Sequence, residues 1–395
     1  MNFVGIITEY DPFHNGHAAQ LRMLREQGAR TIAVCMSSGA VQRGGVPLFP
    51  EPVRVRAALL GGADLVVALP APYANTGAEA FASAGVALLT ALGCDTLAFG
   101  AEDPDADRLM QAARLLNQPD LSAGLRRYLG QGLTFAAARA RAAEELEPGL
   151  SDLLARPNNI LGIEYCKALL AQHSPMQPLA LPRLGAHHGS EETGREGQTL
   201  LASASLLRTM SRKSGLDALA PYVPEPALEV YRQAARQGMT ADPGRFSVAL
   251  LALLRAGDPA RFARIRGVNE GLEHRLAAAV RQAKDAEDLY ACMKTKRYPH
   301  ARLRRLALDA AMGVERDMLP PLPPYLHVLG ARKQTMPLLR AASLPVSTSL
   351  AKLEQALPHA QNVIALQGAF TDFSSLCREK TQPMGLAYTA KPVVL

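Results

Sequence analysis

The chain has 395 residues, of which 48% are hydrophobic and 20% charged, with a formal net charge of +7. That length leaves room for two or three domains around a sizeable core, and no stretch of about 20 uninterrupted apolar residues reads as a membrane span. The five cysteines (Cys35, Cys94, Cys166, Cys292 and Cys377) lack metal-ligand spacing and read as free thiols in a reducing cytoplasm, and the N-terminus lacks a leader pattern.

The charge is unevenly spread. Residues 1–150 hold 12 Arg and no Lys against 15 Asp and Glu, a net −3, which leaves +10 on the remainder. A basic second half fits either a polyanionic partner or a solvated basic surface.

Phe3–Ile7 is an apolar run that reads as a buried strand. It breaks at the turn signal Asp11-Pro12, and a helix follows from His14 to Glu26, with Leu21, Met23 and Leu24 at helical spacing. Two imidazoles, His14 and His17, thus stand three residues apart where the first strand hands over to the first helix. In a parallel sheet that is where ligands bind. Gly16 removes a side chain where a phosphate would approach the backbone, and the helix N-terminus adds unpaired N–H groups and a partial positive charge.

Further strands are expected at Thr31–Met36, Leu65–Leu69 and Thr96–Phe99, alternating with helices at Pro52–Leu60 and Ala78–Leu92. This is the pattern of a parallel α/β sheet. The loops Ser37-Ser38-Gly39, Pro70-Ala71-Pro72 and Gly100-Ala101-Glu102 then emerge on the same edge as the histidines. In the loop from Met36 to Pro47, Arg43 offers a planar donor fork for a phosphate or for a neighbouring acid.

Residues 103–155 read as helical without evident chemistry. Pro157-Asn158-Asn159 is a turn and an N-cap for a helix over Ile160–Ala171, although the asparagines equally suit adenine or ribose. A short strand within 178–190 leads into Arg183 and a His187-His188-Gly189 turn, which has no further zinc ligands at suitable spacing. Ala202-Ser203-Ala204-Ser205-Leu206-Leu207-Arg208 opens a helix. Its hydroxyls, first-turn N–H groups and Arg208 converge on a phosphate, or else form an ordinary Ser cap with a surface Arg.

From about residue 215 strand signals fade, and Ala, Leu and Arg recur at helical spacing. Between Lys294 and Arg305 six of twelve residues are basic, with no acid and one stackable Tyr298. A solvated helix face normally mixes signs, so this segment reads as an RNA backbone contact. Tyr325–Ala331 is apolar enough for a strand or a buried turn, and the tail to Leu395 carries no signal.

Several of these stretches, in this order, resemble the tRNA(Met) cytidine acetate ligase family of HIGH-type nucleotidylyltransferases. They are Glu9-Tyr10-Asp11-Pro12-Phe13-His14-Asn15-Gly16-His17, Val41-Gln42-Arg43-Gly44, Asp95-Thr96-Leu97-Ala98-Phe99-Gly100, Pro157-Asn158-Asn159-Ile160-Leu161-Gly162, Ala202-Ser203-Ala204-Ser205 and Lys294-Thr295-Lys296-Arg297-Tyr298. Two positions depart from the family pattern: Asp11 stands where members have Asn, and Gly39-Ala40 where they have Gly-Asn. The resemblance implies a Rossmann-like α/β domain with a parallel sheet over residues 1–210, carrying the ATP site. A mainly α-helical RNA-binding domain would follow over 211–395.

The implied reaction joins ATP and acetate into acetyl-adenylate, then passes the acetyl group to N4 of the wobble cytidine of elongator tRNA(Met), with Mg²⁺ escorting the triphosphate. His14, His17, Ser203, Ser205 and Arg208 would be catalytic. ATP would be held by Ile7, Thr8, Glu9, Tyr10, Asp11, Pro12, Phe13, Asn15, Gly16, Ala18, Ala19 and Gln20, together with Gly100, Asn158, Asn159 and Arg183. RNA would meet Lys294, Lys296, Arg297, Arg302, Arg304 and Arg305. Two other readings stay open: a small-molecule adenylyltransferase and a catalytically silent RNA-binding protein that senses ATP. The oligomeric state is left open as well.

Overall fold

A computed structural model of the chain describes residues 1–183, 193–269, 271–295 and 298–395. Its centre is a sheet with strands β1 (Phe3–Thr8), β2 (Thr31–Ser37), β3 (Leu65–Leu69), β4 (Thr96–Ala101) and β5 (Gln177–Pro182). A small hairpin follows, β6 (Gly194–Glu196) with β7 (Thr199–Leu201), and then β8 (Leu326–Ala331), β9 (Val346–Ser347) and β10 (Val393–Val394). Across the main sheet the order is β10-β8-β3-β2-β1-β4-β5, with β9 on β8. The strands β1 to β5 run parallel, and β8 joins β3 antiparallel.

Both faces of the sheet are covered, which is why its strands are continuous apolar runs rather than alternating ones. Along β1, Phe3 and Ile7 face the helices Ala78–Leu92 and Pro157–Ala171, whereas Val4 and Ile6 face the helices Asn15–Glu26, Glu51–Leu60 and Glu225–Arg236. Gly5 admits the helix Ala78–Leu92 onto the strand: a Cβ there would lie 2.7 Å from Leu89 Cδ1. The chain winds outward from β1 through β2 to β3, then returns to place β4 on the other side of β1. The switch point therefore falls between β1 and β4, where an open α/β sheet leaves a crevice outside its carboxyl ends.

A third core unites helices of the second half, chiefly Pro243–Ala256, Leu272–Gln282, Ala286–Met293 and His300–Met312, with Gln361–Leu376. Two parts of the chain beyond residue 210 pack on the sheet. Helix Glu225–Arg236 belongs to the core of the sheet: Tyr231 Oη accepts the Phe13 N–H at 2.9 Å and its ring stacks on Phe49. The C-terminal stretch also returns to the sheet through β8 and β10. All five cysteines are unpaired. No helix among the described residues is long and apolar enough to cross a membrane.

Two buried arginines fix the loops at the open edge of the sheet. Arg54 donates to the carbonyls of Glu9 (2.7 Å), Ser37 (2.9 Å), Ser38 (2.6 Å) and Phe49 (3.2 Å). Arg378 donates to Pro47 O (2.9 Å) and Leu48 O (3.0 Å). Gly44 lets the same loop meet the helical body. Its φ is +79°, and a Cβ there would lie 2.4 Å from Arg305 N, so both conformation and space exclude a larger residue.

Candidate active site

The crevice at the switch point is a cavity of about 290 Å³. Its rim is formed by the carboxyl ends of β1, β4 and β5 and by the first turns of the helices Asn15–Glu26 and Ala204–Ser214. His14 is the N-cap of the first of these. Its Nδ1 accepts the Gly16 N–H at 3.1 Å, while His17 Nδ1 accepts the His14 N–H at 3.3 Å. The two rings stack with centroids 3.8 Å apart, and His17 also leans on Tyr10.

This reciprocal cap fixes the chemistry of the pair. With Nδ1 committed as an acceptor, a neutral ring carries its proton on Nε2 and donates from there. Both rings are held neutral: burial, followed by the Arg183 and Arg208 charges, pushes His14 down to about 3. Burial, His14 and Arg183 push His17 well below its usual value. The site thus presents two N–H donors beside positive charge, a match for an anion.

A measurable pH effect follows. His14 titrates near 6.5 when unfolded and near 3 when folded, so within that window the unfolded chain binds the extra proton. Stability is therefore lost as pH falls from about 6.5 towards 3. Glu9, whose pKa is raised chiefly by burial and then by Asp11, contributes the opposite slope, which a comparison with a variant cancels. The thermal midpoint of His14→Gln should drop less than that of the wild type between about pH 7.5 and 5. Equal drops would contradict a neutral, buried His14.

Ser203 caps the helix Ala204–Ser214: its Oγ accepts the Leu206 N–H at 3.2 Å and lies 3.0 Å from Ser205 Oγ. Arg208, one turn inside, donates to Asp11 O at 2.5 Å and pairs with the Asp11 carboxylate at 3.3 Å. Asp11 Oδ1 accepts the Leu48 N–H at 2.6 Å. The departure from Asn at this position therefore supplies a charge partner for Arg208. Ala40, the other departure, is fully buried in the core of the helical body.

The expected ATP-binding run divides into two groups. Ile7, Thr8, Glu9, Tyr10, Asp11, His14, Gly16, His17 and Gln20 line the cavity, as do Gly100, Asn158 and Arg183. Pro12, Phe13, Ala18 and Ala19 do not line it, and Phe13 lies in the apolar core. Asn15 also turns away, donating to Leu200 O at 2.9 Å and Pro221 O at 3.1 Å.

The cap of the helix Pro157–Ala171 is a further correction. Arg156 occupies the N-cap position without a side-chain hydrogen bond. The first-turn N–H groups of Asn158 and Asn159 are taken by Glu102, at 3.1 and 3.0 Å. A carboxylate satisfies a helix N-terminus as well as a capping amide does, but one 56 residues away leaves no local signal. Asn159 Oδ1 accepts the Asp103 N–H, and its Nδ2 is buried without a partner. The apolar wall of the cavity, with Phe81, Phe99, Leu161 and Tyr165, was hidden among ordinary core periodicity.

The basic segment is split as well. Lys294 Nζ donates to Tyr298 O at 2.7 Å, and Arg302 lies over the Tyr298 ring at 4.7 Å. Arg304 pairs with Glu287 at 3.1 Å, and Arg305 donates to Gln42 O at 3.0 Å. Arg305 therefore reaches the site loop, whereas the Arg304–Glu287 pair lies at the surface of the helical body. Lys296, Arg297 and the His187-His188-Gly189 turn lie outside the described residues.

A helix-capping histidine pair at the switch point of a parallel sheet is the arrangement of HIGH nucleotidyl transferases, and the sequence profile of that family matches residues 1–386. Among curated proteins, the tRNA(Met) cytidine acetate ligase of Caldanaerobacter subterraneus subsp. tengcongensis is 34% identical over 365 residues, which span 89% of this chain and 90% of the relative. The ligase of the same name from Syntrophotalea carbinolica is 34% identical over 366 residues, 89% of this chain and 86% of the relative. Apo Thermotoga maritima TmcAL superimposes with a TM-score of 0.89 at 26% identity, covering all of both chains, and so does the same protein bound with alpha-thio ATP. The chain belongs to the tRNA(Met) cytidine acetate ligase family.

Proposed function

We propose that this chain is an ATP-dependent ligase that forms acetyl-adenylate and transfers its acetyl group to N4 of the wobble cytidine of elongator tRNA(Met). The observation that carries the chemistry is the pair of stacked histidines, each with Nδ1 held by a backbone N–H, at a helix N-terminus in a cavity that Arg183 and Arg208 also line. The alpha-thio ATP complex of the Thermotoga relative supports ATP as the occupant, and the names of the curated relatives support the tRNA.

In the first step an acetate oxygen attacks the α-phosphorus, the bond to the bridging oxygen of pyrophosphate breaks, and pyrophosphate leaves with the electron pair. Charge spreads over the equatorial oxygens, so catalysis is positioning and electrostatic stabilisation. His14 and His17 donate N–H bonds there, and Arg208, the Ser203 and Ser205 hydroxyls and two helix N-termini add to them. Among the described residues no group of three or more His, Cys, Asp and Glu is placed to hold a metal ion. Mg²⁺ is therefore expected to enter with the triphosphate and its waters. The test is acetate-dependent pyrophosphate release without RNA, which this reading requires and which a mere ATP sensor lacks.

RNA affinity is assigned to the basic segment, with Lys294, Lys296, Arg297 and Arg302 as the proposed phosphate contacts. Replacing Lys296 and Arg297 by Ala should lower the slope of log affinity against log salt by roughly 0.7–0.9 per lost contact. Pyrophosphate release without RNA should persist. An unchanged salt slope and affinity would remove these residues from the interface.

A further inference from the structure

A second cavity, of about 360 Å³, lies beyond the first. Glu9, Asp11, Arg43, Ser205 and Arg208 line both, so a single layer of side chains separates them. The far wall belongs to the helical body: Tyr290, Glu287 and Arg304, with Phe246 beside them. Tyr290, Glu287 and Arg304 flank or belong to the basic segment assigned to RNA, so the cavity lies between that segment and the first cavity.

The polar groups of this cavity are unequally satisfied. Tyr290 is 2% exposed, yet its hydroxyl has no hydrogen-bond partner, and neither has the buried Nε of Arg304. Burying such groups unpaired is unfavourable, and both can donate. On the near wall stand acceptors. Glu9 Oε1 already takes the Gln42 N–H at 2.6 Å, which fixes the carboxyl group and leaves it able to accept more. Both walls carry mixed charge, with Arg43 and Arg208 beside Glu9 and Glu287 beside Arg304, but the Glu9 carboxylate on one side and the unpaired Tyr290 hydroxyl and Arg304 Nε on the other match cytosine, whose N4 amine donates while N3 and O2 accept. Uracil would put an acceptor against Glu9. The cavity is also large enough for a base, at the lower end of ordinary ligand sites.

On the proposed acetyl-transfer reading, we infer that this second cavity is the chamber that receives the flipped cytosine, and that Glu9 is the residue that takes the N4 proton. The N4 lone pair attacks the acetyl carbonyl carbon, and the bond from that carbon to the phosphate oxygen breaks. AMP leaves with the electron pair, and the N4 proton passes to the Glu9 carboxylate. Tyr290 and Arg304 donate to the opposite edge of the base.

The groups that face Glu9 support this role. Asp11 from its own loop raises its pKa after burial does, while Arg43 from the neighbouring loop and Arg208 from the helix Ala204–Ser214 pull it down. Arg54 and Tyr165 interact with it from two further helices. The net rise brings a carboxylate closer to neutral pH, where a general base is most effective.

The half-reactions separate the test. The full-length enzyme is assayed for acetate-dependent exchange of pyrophosphate into ATP, and for single-turnover acetyl transfer from pre-formed enzyme-bound acetyl-adenylate to elongator tRNA(Met). In Glu9→Gln, transfer should fall by at least 100-fold, the general-base scale, and at least tenfold more than exchange. The rising acid limb of the wild-type transfer profile should disappear. In Tyr290→Phe, which removes only an unpaired hydroxyl, the tRNA KM for transfer should rise about tenfold, with kcat changed less. Transfer that falls only in step with exchange, an acid limb that survives in Glu9→Gln, or an unmoved KM in Tyr290→Phe overturns the inference. Wild-type enzyme that exchanges pyrophosphate but acetylates no tRNA would instead overturn the reading on which the inference rests.

Discussion

Replacing His17 by Ala is expected to slow acetyl-adenylate formation by two to three orders of magnitude while the protein stays folded. The rate loss is the scale found for removing one preorganised donor from developing oxyanion charge. Two features make this donor preorganised. The His14 N–H holds His17 Nδ1, and the stacked His14 ring prevents rotation. Nothing need reorganise as charge develops at the α-phosphate. The structural cost is small, because the ring lies on the cavity wall and its loss frees one N–H at a helix terminus, about 1 kcal/mol. Acetate-dependent pyrophosphate release at saturating ATP checks the prediction, with a thermal melt as control. A rate within a few-fold of wild type in a folded variant would exclude the role.

The largest expected effect on stability lies outside the cavity, at Arg54. This side chain is fully buried and bonds four backbone carbonyls at the ends of β1 and β2 and before the helix Glu51–Leu60. In Arg54→Met the volume is kept, but the four acceptors lose their donor and Glu51 its nearby charge. Each unsatisfied buried carbonyl costs about 1–3 kcal/mol, part of which relaxation recovers. Breaking a buried charge arrangement typically costs 3–5 kcal/mol, and about that loss is expected from the shift of the denaturant midpoint. A shift below about 1 kcal/mol would mean that the loops hold themselves. Because Arg54 bonds Glu9 O, activity should also fall before the protein unfolds.

The parallel strands were legible because a sheet covered on both faces writes itself as unbroken apolar runs: Phe3–Ile7, Thr31–Met36 and Leu65–Leu69 match the observed strands within a residue or so. The histidine pair was legible because capping, phosphate binding and the strand–helix junction all act through adjacent residues. What failed was long-range. Tyr325–Ala331 was legible as a strand or buried turn and is β8, but its antiparallel pairing with a strand more than 250 residues earlier leaves no periodicity to read. Helix Glu225–Arg236 has an apolar stripe that reads the same whichever body it packs on. Glu102 displaced the asparagines as the cap from a distant loop. The partners of Arg304 and Arg305 are equally long-range: Glu287, 17 residues away, and the carbonyl of Gln42, 263 residues away.

One measurement reaches the central claim most directly. Purified protein is incubated with unmodified elongator tRNA(Met), ATP, Mg²⁺ and labelled acetate, and the digested nucleosides are analysed by mass spectrometry. Label on N4 of the wobble cytidine, absent without ATP and formed without acetyl-coenzyme A, is the predicted result. Brisk acetate-dependent pyrophosphate release with no label on the RNA would contradict the account and move the chain to the small-molecule adenylyltransferases.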